Sequence, residues 1–291
     1  MATSKLPTDM QQRRKTPASF LGKYGPWALV TGASKGLGAE FTWQLARRGL
    51  NIILVARSAD ALKTQADKLE RTTSARTRVV PLDLADDDFL TTLTNATQDL
   101  EIGLLVNNAG ISTVGPFLGQ DPEFLARQIH VNNRAGVLMT RYFGQLMADR
   151  GRGGIIFLSS GSALHGTPFS ANYCGTKAFN AMVGEALWYE FRPLGVDVLA
   201  LLAGATRTPG WLGNHPSRSR VVPVMDAAPA VATALKALGQ RPSVAPGRLN
   251  RLGYAAMGLM PRAEAVRVLG RSMSTMFGPF AGITRKSAAH D

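Results

Sequence analysis

The feature that most constrains this chain is an alternation of two patterns. Short aliphatic runs at 27–30, 52–55, 78–81, 104–106, 155–158 and 196–202 are separated by stretches of helical periodicity at 37–48, 59–70, 86–98, 122–150 and 173–193. Runs this short, mostly apolar and rich in Val, Ile and Leu, are expected of strands buried on both faces of a parallel sheet. Strand–helix alternation then predicts an α/β fold: a single doubly wound parallel sheet, helices on both faces, right-handed crossovers. Ligands should bind beyond the carboxyl ends of its strands. After Gly204 the pattern changes, and 208–223 reads as a loop or lid. Asp226, the stretch 227–238 and Gly239 read as a capped helix with a glycine stop.

Three parts are expected. Residues 1–24 form a basic flexible arm without the apolar run of a secretory signal. Residues 25–240 form the sheet-containing domain, with a lid at 208–225, and residues 241–291 a basic helical extension. With 45% hydrophobic and 18% charged residues the chain lies outside the disordered class. Its net charge of +13 suits a nucleic acid, an anionic membrane, a phosphorylated ligand or no partner at all. The charge follows no nucleic-acid-binding motif and lacks interleaved aromatics, so no nucleic-acid partner is expected. A lone cysteine, Cys174, allows no intrachain disulfide and suits a reducing compartment. No stretch reaches the ~18 apolar residues of a membrane span, so a cytoplasmic location is expected. The four histidines (His130, His165, His215 and His290) have no metal-ligand spacing, and no metal is expected.

The first strand runs into Thr31-Gly32-Ala33-Ser34-Lys35-Gly36-Leu37-Gly38. Glycines between a strand and a helix let the backbone approach a pyrophosphate, whose charge then sits at a helix N-terminus. The spacing is T-G-x-x-x-G-x-G, and no G-K-[ST] of a P-loop follows. The second strand ends Val55-Ala56-Arg57-Ser58, with no acid at its tip to hold a ribose 2′-hydroxyl. Lys35 and Arg57 are placed to face a 2′-phosphate instead, so NADP(H) is the expected cofactor.

With Asp83-Leu84 after the third strand and Asn107-Asn108-Ala109-Gly110 after the fourth, the chain resembles the short-chain dehydrogenase/reductase family over residues 25 to 210. The resemblance implies a Rossmann-type fold. It also implies cofactor contacts from Gly32, Ser34, Lys35, Gly36, Leu37, Gly38, Arg57, Asp83, Leu84, Asn108, Ala109, Gly110, Gly204 and Thr208. Tyr173 and Lys177 are spaced by four, on one face of a helix, where an ammonium lowers a phenol pKa that is otherwise about 10. The family's tetrad is then Asn132, Ser160, Tyr173 and Lys177, with Asn133 the alternative to Asn132. In that mechanism Tyr173 protonates the substrate oxygen while a hydride reaches the carbonyl carbon, Ser160 polarises the oxygen and Lys177 grips the ribose. One departure is Ala203-Gly204 where the family usually has Pro-Gly. An NADP(H)-binding regulator without turnover is the alternative, and the intact tetrad argues against it.

The stretch Pro246-Gly247 to Asn250 with Pro261-Arg262 resembles the branch of 17β-hydroxysteroid dehydrogenases and long-chain 3-oxoacyl-CoA reductases. Apolar lid residues (Trp211, Leu212, Val221, Val222, Val224 and Met225) favour a hydrophobic, lipid-like substrate. The family's habit implies a homo-oligomer through the long helices 122–150 and 173–193. Val266, Leu269, Met273, Met276 and Phe280 would share one helical face, with Arg267 and Arg271 opposite. Such a stripe either closes over the substrate cleft or a partner subunit, or rests weakly on an anionic membrane surface.

Overall fold

The computed structural model describes residues 19–208 and 224–277. Seven parallel strands form one sheet in the order β3-β2-β1-β4-β5-β6-β7. They are β1 Trp27–Thr31, β2 Asn51–Ala56, β3 Thr77–Pro81, β4 Ile102–Asn107, β5 Gly153–Ser160, β6 Val196–Ala203 and the two-residue β7 Ser243–Val244. β1 and β4 are buried along their whole length, as their uninterrupted apolar runs require. The strand order reverses direction between β1 and β4, which is where a doubly wound sheet opens a crevice.

Helices α2 Gly36–Ala46 and α3 Ala59–Thr72 cover one face together with α8 Ala227–Ala237. The other face is covered by α4 Phe89–Thr97, α6 Ala135–Asp149 and α7 Ala171–Phe191. Helix α5, Pro122–Ile129, starts as its sequence demands: Pro122 opens the first turn and the Asp121 carboxylate accepts the Glu123 and Phe124 N–H groups at 3.1 and 3.2 Å.

Several expectations need correction. The long helix expected over 122–150 is three pieces, because His130–Arg134 forms a π-helical turn between α5 and α6. Such turns insert one residue into a helix and recur at functional sites. Asn132 and Asn133 lie on it. Within the stretch expected as a flexible arm, Phe20–Tyr24 is a helix, α1, capped by Ser19. Tyr24 is buried and its hydroxyl donates to Asp197 Oδ2 at 2.6 Å, which ties α1 under the sheet. Asp226 does begin α8, but its side chain does not cap it and instead accepts from Arg207 Nε at 3.2 Å. The expected extension over 241–291 begins with β7, a strand of the sheet. Only afterwards come α9 Arg248–Leu259 and α10 Arg262–Phe277. Lid residues 209–223, with Trp211, Leu212, Val221 and Val222, lie outside the described residues, as does Phe280. Among the described residues no helix is long and apolar enough to cross a membrane, and no cluster of metal-ligating side chains occurs.

Candidate active site

The carboxyl ends of the strands open into a cavity of about 1130 Å³. Its wall contains every residue expected to contact a cofactor except Gly38, together with Ser160. At the exit of β1 the chain turns through Gly32 (φ +64°) and Gly36 (φ +60°), left-handed conformations that suit glycine. Gly38 lies behind the wall because α2 presses on the loop there. A Cβ on Gly38 would stand 2.1 Å from the Gly32 carbonyl oxygen and 2.5 Å from Asn108 Nδ2.

Asn108 holds this turn in place. Its Nδ2 donates to the Thr31 carbonyl at 2.7 Å, while the Asn108 and Ala109 N–H groups both donate to Thr31 Oγ1 at 3.0 Å. The exits of β1 and β4 are therefore locked together, and the backbone rather than side chains shapes the floor of the cavity. Lys35 and Arg57 are exposed on its rim, at the tips of β1 and β2. Beyond β3, Asp83 accepts from the Ala85 N–H at 3.0 Å and pairs with Arg127 of α5. Burial raises the Asp83 pKa, but the Ala85 N–H, Arg127 and Arg57 outweigh it and hold the carboxyl below its usual range.

Further along the cavity Ser160, at the end of β5, stands next to the hydroxyl of Tyr173, in the first turn of α7. Lys177, one turn on, is buried, with Nζ 5.6 Å from the centroid of the Tyr173 ring. Its ammonium donates to the Leu158 carbonyl at 2.9 Å. Burial pushes the Tyr173 pKa up to about 12, against a smaller lowering by Ser160. It brings Lys177 down to about 8. Both shifts are those of groups whose charged forms lose water.

Asn132 is not on the cavity wall. Its side chain bridges the Ile111 N–H (2.8 Å), the Ile111 carbonyl (3.0 Å) and Thr176 Oγ1 (3.0 Å). Its backbone carbonyl accepts from Asn180 Nδ2 at 3.0 Å. Asn133 points the other way, donating to the Thr176 carbonyl and Asn180 Oδ1 at 2.8 and 2.9 Å. Both asparagines thus clamp the π-helical turn to α7. A Cβ on Gly110 would stand 3.3 Å from both Asn132 Oδ1 and Lys177 Nζ, so both side chains close on this glycine. Cys174 is a buried small side chain, donating to the Ala171 carbonyl at 3.2 Å.

Helices α9 and α10 add further wall: Tyr254 and Met257, then Leu269, Met273, Met276 and Phe277. Of the expected amphipathic stripe, Leu269, Met273 and Met276 therefore face the cavity, whereas Val266 is exposed on another side. That face closes the cleft and is not free to meet a membrane. Arg127, Asn180 and Tyr254 went unnoticed in the sequence. Nothing local marks Arg127 or Tyr254, whereas Asn180, a polar residue one turn after Lys177 on the same face as Tyr173 and Thr176, carries a readable signal.

Comparison with known proteins agrees with this geometry. The family profile described as short chain dehydrogenase matches residues 26–216. The chain is 33% identical to 7beta-hydroxysteroid dehydrogenase of Clostridium sardiniense over 260 residues, 89% of this chain and 99% of that protein. It is 39% identical to the very-long-chain 3-oxoacyl-CoA reductase of Pyricularia oryzae over 193 residues, but spans only 58% of that protein. Among solved structures, one described for 7beta-hydroxysteroid dehydrogenase stereoselectivity superposes with a TM-score of 0.81 at 26% identity, covering 86% of this chain and 99% of that one. A short-chain dehydrogenase from Sphingobium yanoikuyae in complex with NADPH gives 0.70 at 30% identity, covering 81% and 95%. With two thirds of its length matched by one profile, and the strand order and glycine turn that such an enzyme needs, the chain belongs to the short-chain dehydrogenase/reductase family of nicotinamide-dependent oxidoreductases.

Proposed function

We propose that this enzyme uses NADP(H) to interconvert a hydrophobic, lipid-like ketone and its secondary alcohol, with Tyr173 exchanging the proton. One observation carries the reading: Tyr173, Ser160 and Lys177 converge midway along a cavity that is cationic at one end and apolar at the other. The backbone cradle at Gly32, Gly36 and Gly38 would hold a dinucleotide, and the Gly38 position would be filled by any side chain. Asp83, Leu84, Asn108, Ala109 and Gly110 would flank its adenosine and ribose. Lys35 and Arg57, with no carboxylate at the β2 tip, favour a 2′-phosphate. Gly204 and Thr208 would line the nicotinamide side. The bound cofactor supplies or accepts the hydride.

What the chain itself does follows from the positions described. With its pKa near 12, Tyr173 holds its proton at neutral pH and can give it to a carbonyl oxygen. Ser160 donates to the same oxygen as negative charge builds. The Lys177 ammonium steadies the phenolate that remains, and Asn132 keeps the turn beside Lys177 in place. The apolar wall from α9 and α10 supports a hydrophobic substrate of acyl or steroid type. Turnover of NADPH and NADH with a panel of steroid ketones, 3-oxoacyl thioesters and small polar ketones tests this directly. Reduction of the hydrophobic members with a preference for NADPH is expected. Activity confined to polar ketones, or a preference for NADH, would overturn it.

Two contacts belong to the same proposal. Exposed apolar side chains on α6 and α7 (Tyr142, Leu146, Phe179 and Met182) support a homo-oligomer. On α9 the outward Leu249, Leu252 and Leu259 are 70%, 68% and 88% exposed, beside Arg248, Arg251 and Arg262. Leucines flanked by arginines suit the headgroup region of an anionic membrane, and the other side of this helix lines the substrate cleft. Co-sedimentation with anionic but not neutral liposomes, lost at high salt, is expected. Equal recovery in the supernatant throughout would assign the stripe to a second copy of the chain.

A further inference from the structure

The substrate end of the cavity contains a polar group that the reaction does not use. Tyr254 lies on the inner side of α9 and lines the cavity. Its ring rests on Gly161, the residue that follows Ser160. A Cβ on Gly161 would stand 1.9 Å from the Tyr254 hydroxyl oxygen and 2.2 Å from Cζ, so the missing side chain at 161 is what admits this phenol. The helix from the far end of the chain thus delivers a hydroxyl to the immediate neighbourhood of Ser160.

That hydroxyl makes no hydrogen bond among the described residues, although burial pushes its pKa up to about 12. The turn beneath it is short of partners as well. Ser162 Oγ and His165 Nδ1, both on cavity-lining residues, are buried with no hydrogen-bond partner among the described residues. Buried polar groups are nearly always paired, so these two, beside the unpaired hydroxyl of the half-buried Tyr254 on the same cavity, point to a ligand that pairs them. Their neighbours Leu164, Met257, Leu269 and Met273 are apolar. Lys35, Arg57 and Arg127 stand at the other end, around the tips of β1 to β3, and among the described residues no lysine or arginine beyond Lys177 lines the cavity here. The complement of this group is therefore an uncharged oxygen.

Resting on the reductase reading above, we propose that Tyr254 is a specificity residue. Its hydroxyl hydrogen-bonds a second, uncharged oxygen of the substrate, a hydroxyl or another carbonyl, carried on the apolar skeleton close to the reacting ketone. Ser162 and His165 extend the same subsite. Tyr254 stays a phenol over the working pH range, so it orients the substrate and exchanges no proton with it.

The test is a matched pair of hydrophobic ketones on one skeleton, one with the second oxygen and one without, reduced by wild type and by Tyr254→Phe. The substitution keeps the ring on Gly161 and removes only the hydroxyl. Loss of one substrate hydrogen bond should raise KM for the two-oxygen ketone about tenfold, with kcat and the mono-oxygen ketone nearly unchanged. Equal losses on both ketones would make the hydroxyl part of the fold or of the chemistry, and unchanged kinetics on both would leave it without a role; either result overturns the proposal. Ser162→Ala should give the same selective change, smaller in size. If wild type reduces neither ketone with NADPH, the reductase reading falls first and takes this proposal with it, an outcome distinct from the other two.

Discussion

The two ends of the cavity are built in different ways. At the β1–β4 end the surface is mostly backbone: left-handed glycines, a helix start, and Asn108 and Thr31 fastening two strand exits. At the α9–α10 end it is side chains, Tyr254, Met257, Leu269, Met273 and Met276, carried by helices that leave the sheet after β7. A pyrophosphate is the same in every reaction, so the part that holds it can be fixed in main-chain geometry. A substrate varies, and side chains on an appended pair of helices change without disturbing the sheet. The comparison implies that the two ends fail separately, and that Tyr173, Ser160 and Lys177 form the seam between them.

The largest expected effect lies at that seam. Tyr173→Phe keeps the ring and removes the proposed proton donor, so turnover should fall by roughly 10²–10⁴-fold. NADPH affinity, read by fluorescence titration, should hold. A variant that keeps a tenth of the activity would show that the proton comes from elsewhere.

Arg57→Asp acts on the cofactor end alone. It replaces a cation at the rim with a carboxylate, and the charge-assisted contact proposed for Arg57 would be worth about 1.5–3 kcal/mol. NADPH-over-NADH preference in kcat/KM should drop by about tenfold to a hundredfold, with the ranking of ketones unchanged. If the ranking moves too, the ends are coupled and the comparison fails.

The pH profile examines the seam more finely. Lys177 has its pKa lowered by burial to about 8, so it carries its charge below that value and loses it above. In the proposed reaction the ammonium supports the phenolate left after Tyr173 gives up its proton. Reductive kcat should therefore fall as pH rises through about 8, by up to roughly tenfold for each further unit, as for any single titrating group. A profile flat to pH 10 would separate Lys177 from the proton step.

What could be read from the sequence divides along the same line. Glycines needed for a turn, a strand tip without an acid, and a Tyr and Lys on one helical face are local demands, so they stand in the sequence as motifs. The π-helical turn at His130–Arg134 left no such mark, because the apolar periodicity on either side continues and only the hydrogen-bond ladder records the added residue. Two residues of β7 are too few for any pattern. Asp226 has the right type for a cap, yet Arg207 competes for its carboxylate, and that competition is tertiary. Tyr254 could be placed only once α9 was seen folded back on Gly161. The stripe of Leu269, Met273 and Met276 could be seen in the sequence, but not which of its possible neighbours it meets.

The smallest expected effect concerns that stripe. Leu269 is half-buried on α10 and lines the substrate end, whereas Met273 and Met276 are buried and also anchor the helix. Truncating either methionine would mix a loss of substrate contact with a loss of stability, since large-to-small changes in a core cost about 2–5 kcal/mol. Leu269→Ala avoids most of that mixture. Removing its three carbons from contact with an apolar substrate should cost about 1 kcal/mol, given ~0.8 kcal/mol for each fully buried methylene and the residue's partial exposure. KM for a hydrophobic ketone should then rise about fivefold, because 1.4 kcal/mol corresponds to tenfold in an equilibrium constant. The Kd of NADPH should not change, and neither should KM for a small polar ketone that does not reach α10. An equal rise for large and small ketones would mean that α10 supports the catalytic seam and does not touch the substrate. A rise in the NADPH Kd would mean that the appended helices also shape the cofactor end, and the division between the two ends would have to be redrawn at α9.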